Sequence, residues 1–203
     1  MCIRDRVLAV AVSAANVGIS LLSPAIPQLR DDLMVTSDEA QLVLSAFLIM
    51  LGVGQLIAGS LSDRIGRRPV LVYGSLLFLL SGLGALFSTS IEMLVAMRIF
   101  QGLGAATCMA MGRVIISDSF QRAEAGRQMS TITMFQSVVP LLGFAFGGVM
   151  ADLVGWRGSV GLMVVTAAIV FLGTSLLLAE SRDPSIKPVP VSYTHLTLPT
   201  SSW

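Results

Sequence analysis

GSLSDRIGRRP, residues 59–69, sets one acid, three arginines and two glycines between two long apolar runs, and its reading decides the fold. The run before it, Ala40 to Ala58, and the run after it, Val70 to Phe87, each come close to the roughly 20 residues that cross a bilayer at 1.5 Å rise per residue. The segment is therefore a short basic connection between two membrane helices. Lys and Arg close to span ends resist translocation, which places this connection on the cytoplasmic side.

The rest of the chain agrees. Of 203 residues 54% are hydrophobic and 12% charged, against about 25% charged in an ordinary soluble domain, and the mean hydropathy is +0.82. A net charge of +1 says little about partners, because the information lies in where the charges fall. Cys2 and Cys108 are too few and too far apart for a disulfide framework or a metal site. Six apolar runs read as spans: about Val7 to Ile26, Ala40 to Ala58, Pro69 to Phe87, Ile91 to Ile116, Met129 to Ala151 and Gly158 to Ala179. The expected fold is an all-α six-helix membrane bundle with both ends on one side. With residues 64–68 cytoplasmic, Arg122, Arg127, Arg182 and Lys187 join them, and the far side keeps only Arg30 and Arg157. Asp31, Asp32, Asp38 and Glu39 crowd the first outer connection.

An internal repeat is the second signal. Slid by 89 positions, Gly54, Gly59, Asp63, Gly66 and Arg68 fall on Gly143, Gly148, Asp152, Gly155 and Arg157. Each copy joins the second and third helices of a three-helix unit, and three spans per unit give the copies opposite topology. The outer copy has Leu153 and Trp156 where the inner copy has Arg64 and Arg67, as the inversion of sides requires. Inverted repeats are a common way to build alternating-access transporters.

These residues resemble the amino-terminal half of a major facilitator superfamily transporter. GSLSDRIGRRP resembles the signature between helices two and three of that superfamily, and MRIFQGLGAA, from Met97 to Ala106, the Arg-containing signature of its fourth helix. SPAIP, from Ser23 to Pro27, taken with GQLIAGSLSDRIGRRPVL is similar to drug:proton antiporters of the bicyclomycin and chloramphenicol resistance type. The likeness spans residues 7–182. In the fifth-helix antiporter signature GPxxGG, this chain reads Gly143, Phe144, Ala145, Phe146, Gly147, Gly148, with phenylalanine in the place of proline. Pro140 matches a second, upstream proline of the group. Gly143, Gly147 and Gly148 suit close packing of membrane helices.

Arg98 lies about two turns inside the fourth span, where a guanidinium costs roughly 2.5–3.5 kcal/mol on insertion scales, so it is expected to face a wet cavity or a partner rather than lipid. Gln101, at i+3, shares its face. The resemblance implies a role for this arginine in proton coupling or substrate binding. An arginine keeps its proton, so that role is electrostatic. The resemblance also implies a charge latch of the loop Asp63 and Arg67 with Asp118, flanked by Arg64 and Arg68, with Gly59 and Gly66 serving close approach and a tight turn. Cavity-lining candidates follow from polar residues at helical spacing: Asn16 and Ser20 on the first helix, Gln41 and Ser45 on the second, Thr133, Gln136, Ser137 and Pro140 on the fifth. The third and sixth spans carry only scattered Ser and Thr and are expected to face lipid. Pro24 and Pro27 are expected to end or kink the first helix. No acid lies within the first span, and Glu92 and Asp118 stand at the ends of the fourth. Gly102, Gly104, Gly52 and Gly54 mimic parts of a nucleotide fingerprint, but no strand precedes them.

Residues 1–6 (MCIRDR) and 191–203 (VSYTHLTLPTSSW) look like translated sequencing-adapter read-through, and residues 183–190 read as the start of a cytoplasmic linker between two halves. The expected function is proton-coupled efflux of small, mostly apolar compounds by alternating access, in a bacterial-type inner membrane with the amino-terminus cytoplasmic. No cofactor is expected beyond a proton gradient as energy source, and no enzymatic reaction or nucleic-acid partner. The implied partners are a small-molecule substrate, the lipid bilayer and a missing carboxy-terminal half of the same chain. Two other readings are an uptake symporter or facilitator for a sugar or organic acid, and a non-transporting membrane sensor or assembly protein.

Overall fold

The computed structural model describes the backbone of residues 3–119 and 122–177 and the side chains of residues 7–117, 126, 130 and 132–176. The side chains of Asp118, Arg122 and Arg127, together with Arg182, Lys187 and both the linker and tail segments, lie outside the described residues. The order is α1 (Ile3–Ser20), a 3-10 turn (Ser23–Ala25), α2 (Ile26–Leu33), α3 (Ser37–Ile65), α4 (Arg67–Leu86), α5 (Ile91–Ser119), α6 (Arg122–Val154) and α7 (Trp156–Leu177). Among the described residues six spans are long and apolar enough to cross a membrane: Val7–Leu33, Ser37–Ile65, Arg67–Leu86, Ile91–Ser117, Ile132–Val154 and Trp156–Leu176. The fold is an all-helical six-span bundle.

The first span is longer than the apolar run suggests, because its helix breaks and restarts. α1 stops at Ser20, Pro24 sits in the first positions of the 3-10 turn, and Pro27 opens α2. Proline is tolerated there because first-turn N–H groups have no intrahelical acceptor. Met34, in the left-handed region at φ 53, closes α2 by donating its N–H to Arg30 O. Thr36 then starts α3 with a capping box: its N–H donates to Glu39 Oε2 at 2.8 Å, and its Oγ1 accepts from Glu39 N at 3.3 Å.

Residues 59–69 are not a loop. α3 continues through Asp63 and Arg64 to Ile65, α4 begins at Arg67, and Gly66 alone is the joint. Its φ of 100 and ψ of 160 suit glycine, since a Cβ is strained there. Gly155, at φ 81, makes the same one-residue joint between α6 and α7. Among the described residues these are the two glycines with positive φ, and they are the pair that the sequence repeat aligns.

The repeat extends to a reciprocal clasp between α4 and α7. Arg68, in the first turn of α4, donates Nη2 to Ser175 O near the far end of α7 at 3.2 Å. Arg157, in the first turn of α7, donates Nη2 to Ser88 O just past the far end of α4 at 3.0 Å. Each arginine thus supplies a cation and a donor to the unpaired carbonyl end of the neighbouring helix. Between these ends Ser75 Oγ and Thr174 Oγ1 meet at 3.0 Å in buried contact.

Through that contact the third and sixth spans share a buried polar pair, and they are 44% and 33% buried, against 22% and 17% for the second and fifth. Within this bundle α3 and α6 are therefore the least covered spans. α5 is central and packs against α1, α3 and α4. Gly102 and Gly104 explain the closeness: a Cβ on Gly102 would stand 2.6 Å from Phe47 O of α3, and one on Gly104 2.6 Å from Phe78 N of α4. Gly102 and Gly104, two of the glycines that mimic a nucleotide fingerprint, are thus backbone contacts on opposite sides of one helix.

Candidate functional site: a polar seam between α1, α5 and α6

Pro140 lies inside α6 and has no N–H to give to the carbonyl four residues earlier. Gln136 O is therefore without its helical donor, and Asn16 Nδ2 from α1 supplies one at 3.1 Å. Neighbouring side chains commonly re-satisfy the backbone freed by a proline in membrane helices. Three of the expected cavity residues, Asn16, Gln136 and Pro140, are thus joined by a single missing hydrogen bond. Ser20, buried, donates its Oγ back to Asn16 O at 2.7 Å.

The α1 break docks beside this point. Gly143 lies against Ser20, and a Cβ on Gly147 would overlap the backbone of Leu21. Gly147 O also accepts from the buried Ser159 Oγ of α7 at 2.9 Å. Gly148 is looser, its nearest neighbour being Pro24 Cβ at 3.9 Å. The glycine-rich stretch of α6 is therefore the seat of the broken first helix.

Arg113 joins the seam from α5, donating Nη2 to Gln136 Oε1 at 3.2 Å. Sequence reasoning missed this residue, although a cation four positions inside an apolar span is the same signal that drew attention to Arg98. Thr133 and Ser137 lie exposed on the same side of α6, and Ser137 Oγ donates to Thr133 O.

Arg98 is elsewhere and is closed in. Fully buried, it donates Nη1 to Gln101 Oε1 at 2.6 Å, Nη2 to Gly18 O of α1 at 2.7 Å and Nε to Val43 O of α3 at 3.3 Å. Nη1 also approaches Met163 Sδ of α7 at 3.5 Å, and the guanidinium lies 4.3 Å from the centre of the Phe47 ring. Its charge is thus spread over backbone carbonyls, an amide and an aromatic face. Gln101 Nε2 is buried without an acceptor.

The remaining candidates are separate from this seam. Gln41 and Ser45 lie on an exposed face of α3, where Ser45 Oγ donates to Gln41 O. At the basic end Asp63 and Arg67 approach to 3.7 Å across the Gly66 joint, while Arg64 and Gly59 are exposed. At the opposite end Asp32 Oδ2 accepts from Trp156 Nε1 at 2.8 Å and from Arg157 Nη1 at 3.0 Å. The Arg157 guanidinium stacks 4.3 Å over the Trp156 ring. Gln28, Asp32, Gly155, Trp156 and Arg157 line a cleft of about 250 Å³ there.

Comparison with known proteins places this geometry. The family model of the Major Facilitator Superfamily matches residues 8–201. The chain is 32% identical over 172 residues to a chloramphenicol resistance protein of Pseudomonas aeruginosa, covering 82% of this chain and 38% of that protein. It is 31% identical over 175 residues to multidrug resistance protein D of Escherichia coli K12, covering 86% of this chain and 44% of that one. The chain therefore spans less than half the length of these relatives. The solved structure of the proton:xylose symporter XylE superposes with a TM-score of 0.76 at 18% identity, over 88% of this chain and 45% of that chain.

Proposed function

Because the chain belongs to the Major Facilitator Superfamily, we propose that it forms the amino-terminal half of a proton-coupled efflux transporter for small, mostly apolar compounds. The observation that carries this reading is its identity of about three-tenths to drug-resistance transporters along most of its length. The xylose symporter likeness speaks for the fold alone. Two further features support alternating access. The seam between broken α1 and proline-bearing α6 gathers polar groups at membrane depth, where they are otherwise costly. The sparsely covered α3 and α6 leave room for a second half to close the path.

The basic end, with Arg64, Arg67 and Arg68, is cytoplasmic in this reading, so the amino-terminus is cytoplasmic too, in a bacterial-type inner membrane. Asp63, Arg67 and Asp118 act there as the latch, since contacts made in only one of two states bias their populations. Arg98 acts by charge and position, holding α1 and α3 on α5, and Gln101 shares that role. The protein moves its substrate without changing its bonds, and the energy comes from a proton gradient. The proton-carrying carboxylate belongs to the other half or to an end of this bundle, near Glu92 or Asp118.

The test is efflux by the complete transporter in inverted vesicles. Drug accumulation on imposing a proton gradient, collapsed by an uncoupler, is the expected result. Gradient-independent equilibration of the drug would overturn the antiport reading.

A further inference from the structure

Arg113 and Arg98 stand about 22 Å apart along α5 at 1.5 Å per residue and are treated very differently by the fold. Arg98 has every nitrogen on a protein group. Arg113 is half-buried, and Nη2 to Gln136 Oε1 is its one polar contact with the protein among the described residues. A cation at this depth gains a partner in almost every membrane protein, because leaving it unpaired costs several kcal/mol of hydration. Here the described acids, Asp31, Asp32, Asp38, Glu39, Asp63, Glu92 and Asp152, all lie at the ends of the bundle. Among the described residues no acid balances the charge.

The surroundings match one kind of visitor. Gln136 is fixed from behind, because its carbonyl is held by Asn16 in the gap left by Pro140. Its side-chain oxygen steadies one nitrogen of Arg113, and among the described residues the remaining donors of the fork have no acceptor, the geometry that binds a carboxylate in two places. Thr133 and Ser137 add hydroxyls on the exposed side of α6, and Met134, Phe135 and Val138 add an exposed apolar surface. A single guanidinium among neutral amides balances one negative charge, not two.

We infer that Arg113, positioned by Gln136 and Asn16, is a binding subsite for a monoanionic carboxylate carried on an otherwise apolar transported compound. This rests on the reading that α1, α5 and α6 line the transport path. It is distinct from Arg98, which is fully buried with each of its three nitrogens on a protein group, and it gives the path a preference that apolar packing alone would lack.

Nalidixic acid, a monoanion without a basic amine, and its methyl ester differ only in the carboxylate and serve as probes. Their affinities for the purified complete transporter are measured by calorimetry, without any gradient. The unsubstituted protein should bind the acid at least tenfold more tightly than the ester. Arg113→Gln should erase that ratio, Arg113→Lys should keep part of it, and Gln136→Ala should reduce it. No preference in the unsubstituted protein, or equal loss of acid and ester in Arg113→Gln, overturns the inference; the latter outcome would mean that the arginine instead pairs with a carboxylate of the other half. Export of the ester from proteoliposomes is scored separately. Absent export with an intact acid preference would sink the efflux reading and leave the subsite standing.

Discussion

Arg98→Met separates a charge that merely fills space from one that organises the bundle. Methionine keeps much of the side-chain volume but gives up the bonds to Gly18 O, Val43 O and Gln101 Oε1 and the contact with Phe47. Hydrogen bonds between membrane helices are worth about 0.6 kcal/mol on average and about 1.7 at most, and a desolvated cation–π contact about 2. Three bonds at the average value and one such contact sum to about 4 kcal/mol. Against it stands the relief from burying a guanidinium, roughly 2.5–3.5 kcal/mol on insertion scales. The net change for Arg98→Met is therefore small, about 0–2 kcal/mol of destabilisation. Arg98→Ala adds a cavity beside Phe47 and costs a further 2–5 kcal/mol or so. Cys108 is a buried free thiol on the same helix, so thiol-reactive dye labelling during a thermal ramp in detergent reports unfolding of this region. The expected pattern is Met near the parent and Ala well below it, both inserted, with efflux abolished in both because α1 and α3 are no longer tied to the charge. Efflux at the parental rate by Arg98→Met would refute the argument.

Three further outcomes test the frame around the seam. Gly104→Ala sets a Cβ against the α4 backbone at 2.6–2.8 Å, a clash that no rotamer relieves, and should lower stability in the same thermal assay by about 1–3 kcal/mol. Arg68→Met and Arg157→Met each remove one clasp between α4 and α7 and should cost about 1 kcal/mol apiece; lying at opposite ends of the bundle, they should add in the double variant. Asn16→Ala should destabilise the parent by about 1 kcal/mol and do much less in a Pro140→Ala background, where the restored N–H serves Gln136 O; equal costs in both backgrounds would show that Asn16 does not fill the proline gap.

The fold was legible because two periodicities of the chain are coarse. Apolar runs of membrane length and the basic segment at residues 59–69 give the number and direction of spans, and the offset repeat gives their pairing. What escaped is where helices end. The segment 59–69 looks like a loop from its composition, yet a single positive-φ glycine suffices to reverse the chain, so charged residues ride on the last and first turns of α3 and α4. The scattered Ser and Thr of the third and sixth spans carried no periodic signal, because Ser75 and Thr174 pair with each other rather than forming a stripe. Asn16, Gln136 and Pro140 were visible as polar or unusual residues, but the bond that unites them is an absent donor, and no spacing rule encodes an absence across helices. Arg113 carries the same physical signal as Arg98, a cation inside an apolar span, but it lies outside the MRIFQGLGAA segment.

The distribution of satisfied and unsatisfied polar groups explains which parts of the bundle can move as one body. α4 and α7 are clasped at both ends and joined by a buried hydroxyl pair, and α5 is locked to α3 and α4 by backbone contact at Gly102 and Gly104. Sliding any of these helices would unmake bonds that water cannot replace within hydrocarbon. α1 and α6 are built otherwise: one is broken at Leu21, the other has a proline gap, and they meet through glycine against backbone. Small changes of angle there cost one bridging bond, Asn16 to Gln136 O, rather than a ladder. If a substrate carboxylate pulls on Arg113, the strain passes through Gln136 to that bond and so to the break in α1. The seam that holds the free charge is thus also the least stiff joint of the bundle, which is where a binding event can shift a two-state balance with the least loss.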